Sequence, residues 1–485
     1  MNLKQDIKII ALILFAISLT MFIPLFIAIY NNETLAIKGF SQTIIIIFIV
    51  CLAIFLLTKN NKNNEIKGKD GYLVVSLTWI IITAFGALPL IISKEFSTYD
   101  KAYFEIMSGF TTTGATCFTN IESAARSILF WRSFTNWLGG MGVVVLFVAL
   151  LPAMGIGGSI YLIGAESVGP VKGKLTPKTK NTAAALWSIY FGFTLFETIL
   201  LVINGLSLYD ATTVSFSTMA AAGFCVKNSS IGSFNSANVD VIVTFFMMLS
   251  GANFALYYKL IKGKFREVFN DGELKSYIRI WSICVLLCAS YLSIKGYYPN
   301  FLTSLRYAAF QLASLITTTG FATTDYLLWP RFSMMFAVVM MLIGGCAGSA
   351  GGGMKVIRVT TIIKQSKFHM KSQLYPNGVF PIKSGKDILS NKVLRSISAF
   401  CGTYIAIWII SSVVISLTGT DIETSLASTL LTLGNIGIGF GKVGPTGNFA
   451  FFPAWAHWVF SFLMLIGRLE LFTVLILFTK EFWKK

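Results

Sequence analysis

Charge is scarce in this 485-residue chain: only 12% of its residues are Asp, Glu, Lys or Arg, against roughly 25% in a soluble domain. Histidine is nearly absent, and the two copies, His369 and His457, lie far apart. Seven cysteines occur without a CxxC pair, and Cys51, Cys284, Cys288, Cys346 and Cys401 sit inside apolar stretches. A disulfide scaffold is thereby excluded, and metal or thiol chemistry has little support. Clustered acids, His or Cys near one face, which an enzyme would need, are also missing. Apolar residues are what the chain has in excess: 55% are hydrophobic, 42 are Phe, and the mean hydropathy is +0.72. Neither a string of soluble domains nor a disordered chain has this composition. It is that of an all-α polytopic membrane protein.

The formal charge of +18 is distributed as topology requires. Lys59, Lys62, Lys67 and Lys69 form one basic loop, Lys172, Lys174, Lys178 and Lys180 a second, and Lys259, Lys262, Lys264 and Arg266 a third. Lys355 through Arg395 and the terminal Lys480, Lys484 and Lys485 complete the set. Short basic loops stay on the cytoplasmic side, where they also meet anionic lipid, so nucleic acid is not an expected partner.

A span takes about 20 apolar residues. About ten are expected, at residues 9–29, 42–57, 72–92, 129–152, 183–203, 239–261, 278–294, 332–344, 393–417 and 451–478. The first is longer than a signal-peptide core and lacks a clear cleavage site, so it reads as a retained span. An even number of spans puts both termini on one side, and the basic loops make that side the cytoplasm.

Four further segments are too short to cross twice and too apolar for solvated loops: residues 99–116, 209–224, 303–324 and 421–440. Each begins polar, continues as a short helix, and ends in a Thr/Ser/Gly-rich stretch around one glycine: Gly114, Gly223, Gly320 and Gly437. The unit helix, pore loop, helix therefore repeats four times after two extra N-terminal helices. The expected boundaries are 1–70, 71–182, 183–276, 277–391 and 392–485.

Non-helical backbone at membrane depth must be buried in protein or line a water-filled cavity. Four short helices ending at mid-membrane would aim their negative dipole ends at a common axis. Carbonyl oxygens beyond them can replace an ion's hydration shell, and glycine permits the backbone turns this needs. The candidate ring comprises Thr112, Thr113 and Gly114; Ala222 and Gly223; Thr318, Thr319 and Gly320; and Asn435, Ile436 and Gly437. Its chemistry suits a dehydrated monovalent cation. The eighth span breaks at Gly344, Gly345, Gly348, Gly351, Gly352 and Gly353, each costing a helix about 1 kcal/mol relative to Ala. A weak segment beside a pore suits a gate; close helix packing is the plainer reading. Gly353-Met354-Lys355-Val356 lacks the ending of a phosphate-binding loop, and the GxGxxG spelling at residues 439–444 has no strand–helix context.

The stretches TTTGAT (111–116), FWRSFTNWLGGMGVVVLFVALLP (130–152), KLTPKTKNTAAALW (174–187), TTTGFATTD (317–325), GGCAGSAGGGMKVIR (344–358) and GRLELFTVLILFTKEFW (467–483) together resemble the Trk/Ktr/HKT superfamily of potassium transporters. The similarity runs over essentially the whole chain and is greatest to the TrkH-like branch, with its two extra N-terminal spans. It implies a potassium-channel-like fold and gated potassium uptake, with K+ as the bound and transported ion and no organic cofactor. It further implies a homodimer in a bacterial cytoplasmic membrane, docked on a TrkA-like cytosolic nucleotide-binding ring. Within the resemblance the glycine-rich run is the gate loop, and Arg468 faces the pore beside it; the plainer reading of Arg468 is an ion pair with Glu470. Residues 219–224 (MAAAGF) and Ile438 depart from the usual filter pattern. Asp325 is expected at the outer mouth, either concentrating cations or capping the loop, and Glu105 and Glu197 are expected to be satisfied by polar neighbours. An ion-coupled symporter, a sodium-permeable carrier of the same fold, and the potassium-binding subunit of a pump are the alternative readings.

Overall fold

Backbone polar groups in hydrocarbon must be satisfied within their own segment, which favours helices, and the apolar runs fold accordingly. The structure is a computed structural model that describes residues 3–59, 68–142, 179–378, 380–384 and 387–484. Among these, six helices are long and apolar enough to cross a membrane: Leu3–Tyr30, Thr34–Thr58, Gly68–Ile92, Ala184–Ile203, Gly272–Ile294 and Asn391–Ser416. Among the described residues, strand pairing is confined to a two-residue hairpin, Lys383–Ser384 with Asp387–Ile388.

Two expected spans are not continuous. Ala237–Ser250 and Phe254–Ile261 meet at 93°, and Ala454–Arg468 meets Phe472–Phe478 at 111°. The first break falls at Gly251, whose Cβ would sit 2.7 Å from the Thr317 methyl group; the second follows Gly467 and passes through Glu470 and Leu471, both at positive φ. A third expected span, after Arg331–Ile343, stops at Gly344. The remaining one, expected at 129–152, overlaps the helix Arg126–Gly140; the described residues stop at 142 and resume at 179. The stretch between, with the end of the 130–152 motif and the start of the 174–187 motif, lies outside the described residues.

The four short segments are helices Tyr99–Phe110, Leu208–Ala220, Phe301–Ile316 and Ile422–Leu433. Three start at a side-chain cap: Ser207 accepts from the Asp210 amide, Asn300 from Thr303, and Asp421 from Thr424. Each such cap is worth about 1 kcal/mol. The Thr424 amide and hydroxyl also hold the Asp421 carboxyl below the ordinary carboxylate range.

Packing closes the repeats into a cycle. Each short helix lies against the helix that follows it in its own repeat: Arg126–Gly140, Ala237–Ser250, Arg331–Ile343 or Ala454–Arg468. It also lies against the corresponding helix of the preceding repeat, and Tyr99–Phe110 packs on Ala454–Arg468, joining the fourth repeat to the first. Phe104, Phe110 and Trp131 are buried at these seams. Truncating a buried aromatic of this kind typically costs about 3–5 kcal/mol. Leu3–Thr20 and Thr34–Thr58 pack on each other at one side of the cycle.

Candidate functional site

The four short helices end in one local geometry. The first residue held at positive φ after each is Thr112 (56°), Ala221 (54°), Thr318 (61°) or Asn435 (52°). The next amide then turns back to the carbonyl five residues earlier: Thr113 to Ser108, Ala222 to Ser217, Thr319 to Ser314 and Ile436 to Leu431, at 2.8–2.9 Å. One residue later come Gly114, Gly223, Gly320 and Gly437. Three of these have positive φ, at 80°, 81° and 89°, where a β-carbon is disfavoured; Gly223, in the repeat that departs most in sequence, does not.

These glycines meet. A Cβ on Gly114 would fall on the backbone nitrogen of Gly223, and one on Gly223 would lie 2.8 Å from the carbonyl oxygens of Thr319 and Gly320. One on Gly320 would strike the Ile436 carbonyl oxygen, and one on Gly437 the carbonyl oxygen of Thr113. The sequence of contacts, first repeat to second to third to fourth and back to first, is a closed ring of backbone. No side chain fits between its members. Of the residues expected there, Thr113, Gly114, Gly223, Thr319, Gly320, Ile436 and Gly437 meet in these contacts, while Thr112, Ala222, Thr318 and Asn435 lie in the turns that lead into them. Ala221, at positive φ in the second turn, has no sequence signal beyond its place two residues before Gly223.

Hydroxyl groups support the ring from behind. Thr111 and Thr113 share a hydrogen bond of 2.9 Å, and Thr317 and Thr319 one of 2.8 Å. In the fourth repeat the Asn435 amide donates to Thr113 Oγ1 and to the Met464 carbonyl, both at 3.0 Å.

The two sides of the ring differ. On one side all four glycines line a cavity of about 120 Å³, together with Thr116, Phe224, Asn228 and Phe449. On the other side lies the glycine-rich loop. A Cβ on Gly351 would collide with the Thr317 carbonyl and one on Gly352 with that of Gly434; both carbonyls terminate short helices. The Gly352 amide donates to Thr318 Oγ1 at 2.7 Å. The loop is further held by the Ala347 amide on Glu273 (2.7 Å), the Cys346 amide on the Gly251 carbonyl (2.9 Å) and the Phe254 amide on the Gly348 carbonyl (3.1 Å). Gly351 and Gly352 therefore lie against the ends of the third and fourth short helices, whereas Gly344 and Gly353 approach each other and Gly345 and Gly348 pack on Gly251 and Asn253.

Arg468 reaches this loop. Its guanidinium donates to the Ala350 carbonyl (2.7 Å), the Gly140 carbonyl (2.8 Å), the Gly139 carbonyl and Thr112 Oγ1 (3.1 Å). One side chain thus joins the ring, the loop and the end of the helix Arg126–Gly140. The expected alternative, an Arg468–Glu470 pair, is not what forms: Glu470 pairs with Arg358, which also stacks 3.9 Å from the Phe400 ring centroid. Lys355 is a second correction. Read as part of a solvated basic loop, it is instead buried, at positive φ, and donates to the Gly351 carbonyl. The signal was its position immediately after the glycine run.

Asp325 does not line the cavity; it caps the turn Tyr326–Leu328, accepting from the Leu327 amide at 3.0 Å. Glu105 is satisfied as expected, by Arg132, Thr116 and the Cys117 amide. Glu197 is wholly buried. His457, which sequence left without a role, bridges Asp100 (2.6 Å) and the Phe449 carbonyl (3.0 Å), tying the first short helix to the loop after the fourth.

Comparison with known proteins agrees with this architecture. A family model described as TrkH, cation transport protein, matches residues 36–278 and 281–485. The Trk system potassium uptake protein TrkH of Escherichia coli strain K12 is 38% identical, and that of Salmonella typhimurium 37%, each alignment covering 100% of both chains. The crystal structure of the potassium transporter TrkH from Vibrio parahaemolyticus superimposes with a TM-score of 0.88 at 33% identity, again over 100% of both chains. This chain belongs to the TrkH family of cation transport proteins.

Proposed function

We propose that this chain is the membrane subunit of a Trk-type potassium uptake system, conducting K+ through the glycine-centred ring. The observation that carries this reading is the closed cycle of Gly114, Gly223, Gly320 and Gly437, with neighbouring carbonyls too close for any side chain to intervene. Four short helices deliver their negative ends to that axis. Carbonyl oxygens from residues 112–114, 222–223, 318–320 and 435–437 replace the water of a monovalent cation without a fixed carboxylate in the ring. The names of the relatives, potassium uptake protein and potassium transporter, support K+ as the cargo.

Flow follows the electrochemical gradient, which supplies about 2.3 kcal/mol per charge per 100 mV. The loop 344–353 is the gate. Its contacts with the Thr317 and Gly434 carbonyls and with Thr318 Oγ1 support that reading, as does the Arg468 guanidinium bonded to the Ala350 carbonyl. Conduction requires the loop to leave and the Arg468 hydrogen bonds to break. The cavity opposite is the outer entrance, and the five units with boundaries near 70, 182, 276 and 391 serve as anchor and four pore repeats. The chain acts as a homodimer in the bacterial inner membrane, with both termini cytoplasmic. A TrkA-like nucleotide-binding ring contacts the basic cytosolic face and moves the gate.

The test is rubidium uptake into liposomes carrying the purified chain, with and without the soluble partner. Uptake by the chain that increases with the partner supports the reading. Uptake that demands a partner ATPase means a pump subunit.

A further inference from the structure

The outer cavity presents an electrostatic problem. Among the described residues, the charged ones that line it are both cations, Arg132 and Lys227, and no carboxylate lines it. Arg132 is buried, with its guanidinium 4.2 Å from the Phe224 ring centroid and 4.8 Å from that of Phe118. Phe224 directly follows Gly223 of the ring. A positive charge fixed there would repel an entering cation across a low-dielectric wall.

Behind it lies Glu105, on the first short helix and with no exposed surface. Its Oε1 accepts from Arg132 Nε at 2.7 Å and from the Thr116 hydroxyl at 2.9 Å, and its Oε2 accepts from the Cys117 amide at 2.8 Å. Arg132 Nη2 donates in turn to Thr116 Oγ1 at 3.2 Å. The Thr116 carbonyl accepts from the Phe449 amide at 2.8 Å, on the segment that leaves the fourth filter. Nine residues before each ring glycine the chain has Glu105, Val214, Gln311 and Ser428. The carboxylate is thus peculiar to the first repeat, the one that carries Arg132.

We propose that Glu105 and Arg132 are positioning residues for cation entry. The pair ties the backbone beyond Gly114 to Phe224 of the second filter and to the fourth filter's exit, and Glu105 cancels the Arg132 charge that faces the cavity. This inference rests on the conduction reading above. The positive charge keeps an ordered guanidinium in the wall; the negative charge offsets that guanidinium's repulsion of K+.

The experiment measures concentration-dependent rubidium uptake in liposomes containing the full chain. Glu105→Gln leaves Arg132 unneutralised and raises the apparent KM about tenfold, the effect of about 1.4 kcal/mol. Arg132→Gln leaves no guanidinium charge in the wall to be offset and does not raise KM. The double variant Glu105→Gln, Arg132→Gln recovers most of the affinity lost in Glu105→Gln. Arg132→Lys keeps the charge but loses the planar fork and ring stacking, so it lowers rubidium-over-sodium preference while leaving KM near the parent value. It also serves if Glu105→Gln does not fold. Equal increases in KM for Glu105→Gln and Arg132→Gln, a double variant no better than Glu105→Gln, or unchanged ion preference in Arg132→Lys would overturn the proposal. Absence of uptake by the unaltered chain would instead overturn the conduction reading.

Discussion

Replacing Arg468 with Ala removes a charge and a four-way clasp at once. The guanidinium holds Thr112 Oγ1 at 3.1 Å, the Ala350 carbonyl at 2.7 Å and the carbonyls of Gly139 and Gly140. Thr112 is two residues from Gly114, and a separation of about 6 Å between the charge and an ion in the ring is taken for the Coulomb energy. At an effective dielectric of about 20 the repulsion is about 3 kcal/mol, equivalent to roughly 100-fold in rate. Hydrogen bonds to a charged group contribute about 1.5–3 kcal/mol each, and losing the one to Ala350 also loosens the loop. Arg468→Ala therefore raises partner-independent rubidium flux by one to two orders of magnitude, roughly, with ion preference retained. Shortening the loop by deleting residues within 348–353 should do the same. The two changes act on one barrier, so the double variant conducts little faster than either alone. Independent multiplication of the two effects in liposome flux assays would refute the argument that loop and arginine form one gate.

Gly114→Ser places a β-carbon against the Gly223 nitrogen at a φ of 80°. The ring must open, and the potassium-to-sodium permeability ratio falls; an unchanged ratio removes Gly114 from the filter. Asn435→Ala loses the bonds to Thr113 and Met464 and leaves a less tolerant residue at φ 52°, a cost of about 1–3 kcal/mol. Thermal denaturation in detergent should register this as a lower midpoint, accompanied by reduced ion preference. Asp421 caps the fourth short helix with its carboxyl held below the ordinary value by Thr424. Its contribution is complete above the unfolded carboxylate pKa and vanishes as pH falls through the lower folded one. Asp421→Asn should therefore lower the neutral-pH midpoint by that contribution and converge with the parent at acid pH, flattening the acid limb of the stability profile.

Much of this arrangement is readable in the residues, because its cause is local. The four glycines recur about every hundred residues, and the polar start at Asp421 announces its short helix, whereas the caps Ser207 and Asn300 lie just before the segments read from the sequence. The breaks at Gly251 and after Arg468 were not readable, since apolar periodicity continues across both; only tertiary contact with Thr317 and Leu433 explains why Gly251 and Gly467 must lack a β-carbon. The same holds for Lys355, whose charge resembles that of its cytosolic neighbours until the fold turns it beneath Gly351. Glu105 and Arg132 lie 27 residues apart in sequence, and nothing in that interval signals the pair. Long-range closure, first repeat against fourth, is a property of the packed chain, and composition carries no trace of it.

The most direct test of the account is the zero-current potential of the purified chain in a planar bilayer, with its gate opened by Arg468→Ala and with opposed potassium and sodium gradients. The ring of carbonyl oxygens predicts a potential that follows the potassium gradient, indifferent to a proton gradient and independent of ATP. A potential that follows sodium or protons, or a membrane that stays silent without an ATPase, would contradict it.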